Sequence, residues 1–162
     1  MLRKNFLRAV SDWVSETLAV NEDAIKRAAE RFGFERLMAH SDDTERTIGL
    51  FSEWLVFDCP HELLGGKTGL AYFVAHNPLG LPDSDVAAYR ELCSFEVGLF
   101  EVKGIERGRG IVLQSLGTGS TRFVHDVNAS LSLTGDGTVW ARVASIDGLC
   151  HIVGSTVIEM SM

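Results

Sequence analysis

Proline and cysteine are scarce in this chain: each occurs three times in 162 residues. The cysteines, Cys59, Cys93 and Cys150, lie far apart with no C-x-x-C spacing. Such an odd, scattered set argues against a secreted disulfide framework and fits buried reduced thiols in a cytoplasm. Basic charge is also short, with 15 Lys+Arg facing 22 Asp+Glu for a net charge of −7. Residues 1–95 hold 10 basic against 15 acidic side chains, and residues 96–162 hold 5 against 7. Neither half has the cationic excess that neutralising nucleic-acid phosphates normally demands. No apolar run approaches the roughly 18 residues of a membrane span. The opening MLRKNFLRAV interrupts its apolar residues every two or three positions, unlike the continuous core of a signal peptide. The expectation is a soluble cytoplasmic protein with no membrane partner.

What is present is a core-forming composition, 46% hydrophobic and 23% charged, without internal repeats or low-complexity segments. Leu2, Phe6, Val10, Trp13 and Val14 recur three and four apart and predict a helix over about 2–19. Asn21 is placed to cap a second helix that Gly33 ends, and FERLMAH reads as a link. Capping oxygens at Ser41–Asp43 start a third helix, TERTIGLFSEWLVFD, whose apolar residues cover more than one face and predict the central, most buried helix. Pro60 stops it. Shorter helices follow in TGLAYFVAHN, capped by Thr68, and in SDVAAYRELCSF, with Val86, Tyr89, Leu92 and Cys93 inward.

Near position 97 the spacing of three to four gives way to alternation. Phe100 and Val102 oppose Glu101 and Lys103, and Val139, Ala141 and Val143 alternate with Trp140 and Arg142. Ten of the sixteen glycines and none of the prolines fall after residue 95, so short strands joined by tight turns are expected: IVLQSL, TRFVHDV, VWARVAS, LCHIV and TVIEM. The predicted fold is α+β: a helical bundle over 1–95 packed on a small barrel over 96–162, a meander closing on itself in the manner of an SH3-like barrel.

Motifs that carry chemistry are weak. Gly66-Lys67-Thr68 ends like a P-loop, but His61 stands at the first glycine position and no strand precedes it. A loop ending in a threonine N-cap explains it better. His61-Glu62 begins H-E-x-x-H, yet Gly65 replaces the second histidine. Cys59 and His61 could both ligate a metal, but a closed zinc site needs about four ligands and no second cluster exists. Cys150 and His151 are adjacent on a strand, so their side chains point to opposite faces, and no G-x-S-x-G elbow is present. Arg107, Arg109, Arg122 and Arg142, with Phe123 and Trp140, could form a stacking and phosphate-binding face on the barrel.

The run FSEWLVFD, then GKTGLAYFVAHNPLGLP, then YRELCSF and GLFEV, and the Leu133–Val143 segment resemble a region of uncharacterised bacterial proteins that often carry a C-terminal SEC-C motif. The likeness extends over residues 48 to 154. It implies a helical portion followed by a small β-barrel and supplies no activity. The SEC-C cysteines are absent from this sequence, and with them the zinc or partner role such a tail would imply.

The sequence therefore favours a non-catalytic, cytoplasmic macromolecule-binding protein, with no cofactor, metal or catalytic residue expected. Its partner is expected to be a protein by fold-level analogy, and a homo-oligomer is compatible with the pattern. Nucleic acid bound through Arg122, Trp140 and Arg142 is the second reading. A small enzyme with a site in 58–68, around Asp58, His61 and Lys67, is the third.

Overall fold

The computed structural model describes residues 6–135, 137–154 and 158–160. Two compact units divide between Tyr89 and Arg90. The order is helices first and then a barrel, the expected α+β arrangement. Among the described residues no helix is long and apolar enough to cross a membrane.

In the first unit the stripes read from the sequence become α1 (Phe6–Ala19), α2 (Glu22–Phe32) and α4 (Thr44–Phe57). Asn21 caps α2 by accepting the Ala24 amide at 3.0 Å. Gly33 closes it at φ 76°, where a side chain would be strained. Gly33 also opens a further helix, α3 (Phe34–His40), in the segment read as a link. Asp43 caps α4 through the Arg46 amide at 2.9 Å.

Among the described residues α4 carries more buried positions than any other helix, in line with the expectation, although its burial is uneven. Thr47, Leu55, Val56 and Phe57 are buried on it, while Ile48 is 48% exposed. The tightest positions include Val10, Val14 and Leu18 of α1. Two aromatic groups fill the space between helices. Phe32, Phe34, Phe51 and Trp54 have ring centroids 5.2–6.2 Å apart. Trp13 stacks on Tyr72 at 5.7 Å and meets Phe73 edge-on at 5.6 Å. Two later helices are α5 (Gly69–His76) and α6 (Asp83–Leu92). Because α6 ends at Leu92, Cys93 falls off its inner stripe and is exposed rather than buried.

In the second unit β1 (Phe95–Glu106) is the long element. It pairs antiparallel with β2 (Gly110–Ser115) and, along its first half, with β4 (Thr138–Ile146). A register shift between Val102 and Gly104 bends it between these two partners. Beyond β2 lie β3 (Thr121–Val124) and then β5 (Leu149–Ile152), which is parallel to β3 and antiparallel to β4. The closed circuit is β1-β2-β3-β5-β4 and back to β1. A short β6 (Ile158–Met160) pairs with β4 along Thr138–Trp140, on the edge that β5 uses farther down.

This wiring corrects the expected meander, since β5 rather than β4 lies beside β3. The strand expected through Val127 also stops at Val124. Asp126 accepts the Ala129 amide at 2.7 Å and starts α7 (Val127–Ser132). Phe100, Ile111, Leu113, Val124, Val139 and Ala141 are wholly enclosed, and Ala129 and Leu133 join the same core. Each of the Val, Leu, Ile and Phe burials among them is worth about 1.5–3 kcal/mol. The Arg107–Arg109 turn is tied to α7: the Gly108 amide donates to Ser130 Oγ at 2.9 Å, and Arg107 donates to the Leu131 carbonyl at 2.9 Å.

Candidate functional site

The alternation along β3 sorts its side chains between the inside and outside of the barrel wall. Val124 points into the core with Ile111 and Leu113, while Phe123 stands outside beside its cross-strand neighbour Val112. On β5, Cys150 and Ile152 pack toward the core, so His151 takes the outer side, as expected for neighbours on a strand. His125 continues past β3, its amide donating to the Cys150 carbonyl at 2.8 Å.

The outcome is a row from the turn before β2 across β3 to β5. The Arg109 guanidinium lies 5.9 Å from the Phe123 ring centre, the His125 ring meets Phe123 edge-on at 4.8 Å, and His151 follows 6.0 Å further on. Phe123, His125 and His151 are each partly exposed. Burial holds His151 below the ordinary imidazole range; the neighbouring His125 charge pushes the same way, and a hydrogen bond to the His125 backbone opposes it. Arg109 shares its charge with Glu106 at 2.5 Å. The row thus offers aromatic and imidazole faces with little net charge.

The three barrel residues singled out from the sequence do not share one surface. Arg122 faces the inner side opposite Leu113. It pairs with Glu96 at 2.6 Å, whose other carboxylate oxygen accepts a short hydrogen bond from Ser115. Arg142 is only 2% exposed, its guanidinium 4.3 Å from the Phe95 ring centre. The expected solvent-facing charge at Arg142 is therefore corrected. Trp140, partly exposed, sits opposite Leu99 on the β1–β4 wall.

A second constellation forms in the helical unit around the turn after α4. His61 and Lys67 are bridge partners: the His61 amide donates to the Lys67 carbonyl at 3.0 Å, and the Gly66 amide donates to the His61 carbonyl at 2.9 Å. Gly65 and Gly66 make this loop possible at φ 62° and 76°. Thr68 then caps α5 by accepting the Ala71 amide at 3.3 Å, the role expected in place of a P-loop. Asp58 ends α4 and is exposed.

A cleft of about 190 Å³ opens beside this turn, lined by Cys59, His61 and Glu62 from the turn and by Ala24, Arg27 and Arg31 from α2. Asp58 and Lys67 are exposed and do not line it. His61 is 8% exposed and its Nδ1 has no hydrogen-bond partner. Burial lowers its pKa, Arg27 and Arg31 lower it further, and Glu62 opposes them. Cys59 is buried with Arg31 Nη1 4.0 Å from its sulfur. Burial pushes its pKa up, outweighing Arg31, so it rests as a thiol rather than a nucleophilic thiolate. Among the described residues no three His, Cys, Asp or Glu side chains converge as metal ligands do.

Sequence reasoning found His61 and Lys67 because one tight turn holds both. It missed Arg27 and Arg31, whose only signal is a like-charge pair one helical turn apart. Neither protein-family models, nor curated proteins, nor solved structures give a match to this chain.

Proposed function

We propose that this is a macromolecule-binding protein whose barrel is of the OB type and takes single-stranded nucleic acid across β2, β3 and β5. The wiring supports an OB-type rather than SH3-like barrel: a Greek-key circuit with β3 parallel to β5 and a helix between β3 and β4. In barrels of that type the β2–β3 surface is the one that receives oligonucleotides. The observation that carries the reading is Phe123, outward on that surface between Arg109 and His125. A base stacks on such a ring whatever its sequence. Because Arg109 and Lys103 are paired with Glu106 and Glu101, few phosphates are neutralised. Stacking rather than charge sets the affinity.

Fluorescence anisotropy of a labelled single-stranded oligonucleotide tests this. Raising salt from 50 to 200 mM is expected to weaken binding by less than about tenfold, since each neutralised phosphate contributes a slope of only about −0.7 on single strands. Phe123→Ala is expected to weaken it by about five- to 150-fold, from the roughly 1–3 kcal/mol of a stacked base. Phe123→Leu, which keeps the packing, gives a companion loss without unfolding. Absence of binding at low salt removes the proposal.

A protein partner remains the second reading, favoured by one observation. Val97 and Leu99 are 41% and 39% exposed on the outer side of β1, with Leu99 opposite Trp140. Leu99→Asp abolishing capture of a specific protein, with oligonucleotide binding absent, would select this reading over the first.

A further inference from the structure

The cleft on α2 has a chemistry that the barrel reading does not use. Arg27 and Arg31 stand one turn apart, and both line it. Like charges at that spacing repel. Among the described residues neither arginine is in an ion pair, and Glu62, across the cleft, makes none either. Arg31 is held where it is: its guanidinium lies 5.8 Å from the Trp54 ring centre and 4.0 Å from the Cys59 sulfur. A planar guanidinium fixed on an aromatic ring is pre-organised for an oxygen fork. His61, on the turn itself, also lines the cleft and is more than nine-tenths buried. The space, about 190 Å³, is below the roughly 300–1,000 Å³ of pockets for drug-sized ligands.

We propose that this cleft binds a small oxyanion, inorganic phosphate or the phosphate or carboxylate end of a small metabolite, held by Arg27 and Arg31 with His61 as part of its wall. Glu62 at the rim limits the net positive charge and so favours a compact ligand over an extended polyanion. Cys59 contributes a neutral thiol wall. The site belongs to the helical unit alone and does not depend on the barrel reading.

The full chain is titrated with sodium phosphate, and in a parallel arm with sodium succinate, at ionic strength held constant with chloride. Thermal unfolding and the emission of Trp54, seen as the difference from a Trp54→Phe control, are the readouts. The expected result is a saturable rise in unfolding temperature in at least one arm, and that arm names the oxyanion class. A Trp54 emission change should accompany it. Arg27 is exposed, so Arg27→Ala leaves the fold intact and is expected to weaken binding at least tenfold. Arg27→Lys, which keeps charge without the fork, recovers part of it. No response beyond chloride in either arm, or a response undiminished in both Arg27→Ala and Arg31→Ala, overturns the proposal.

Discussion

The two units solve the same problem, burying apolar surface, with opposite materials. The helical unit uses large aromatic rings between elements whose stripes are local: Trp13 meets Tyr72 and Phe73, and Phe51 meets Phe32, Phe34 and Trp54. The barrel uses mostly small aliphatic side chains around one ring, Phe100, and each partner comes from a distant strand. Glycine differs too. Gly33 and Gly65 serve turns at positive φ, where a Cβ would meet nothing within 4 Å, whereas Gly110 lets strands approach. A Cβ there would strike the Val124 carbonyl oxygen and the Phe123 ring. Helix packing tolerates adjustment through flexible side chains, while a closed barrel transmits a misfit to the backbone.

The comparison can be broken at its strongest point. Phe100→Ala removes the one large ring of the barrel core and is expected to cost about 3–5 kcal/mol, measured by denaturant unfolding. A loss below 1 kcal/mol would mean that the ring is not what fills the barrel.

A smaller effect sharpens the contrast. Gly110→Ala and Gly69→Ala each add one methyl group. At Gly69 the obstruction is the buried Val14 side chain, its Cγ2 at 2.5 Å, which must shift but is not backbone, with the Leu55 carbonyl at 3.3 Å. At Gly110 the obstruction is backbone. Gly69→Ala is expected within the roughly 1–3 kcal/mol of overpacking, and Gly110→Ala at or above its upper end. The reverse order in unfolding midpoints would contradict the distinction.

The smallest effect is common to both units. His61 in one and His151 in the other are pushed below the ordinary 6.5, in both cases mainly by burial. The unfolded chain therefore takes up protons at a higher pH than the folded one. Stability is full above 6.5 and is lost as pH falls through the window below it. Melting temperature is expected to be flat from pH 8 to 7 and to decline toward pH 5. His61→Gln and His151→Gln should each make the decline shallower, and unchanged slopes in both would refute the assignment.

How much was legible follows the same division. Stripes and caps are local, so α1, Asn21, Gly33, Asp43 and Thr68 could be read directly. The helix α7 could not, because six residues after His125 carry too short a period to compete with the strand pattern of TRFVHDV. The barrel's existence was visible in its alternation, but its wiring was not. Alternation fixes which side a residue faces and leaves open which strand lies next to it. The link between β3 and β5 rests on a single residue pair, Val124 with Cys150. The cleft was half visible for the same reason: His61 and Lys67 meet through their own turn, whereas Arg27 and Arg31 come from a helix some thirty residues earlier.

The bend in β1 has a consequence for how the barrel assembles. A three-residue turn lets β1 and β2 zip together as soon as both are made, while the other edge of β1 waits for a strand that begins at Thr138. During that interval a bare edge carrying Val97 and Leu99 is open to a strand from another molecule. Exchange of β4 between two nascent chains is thus the misassembly this topology invites. Pulse-labelled amide exchange during refolding would find hairpin amides protected before those facing β4, or else show that both seams close together.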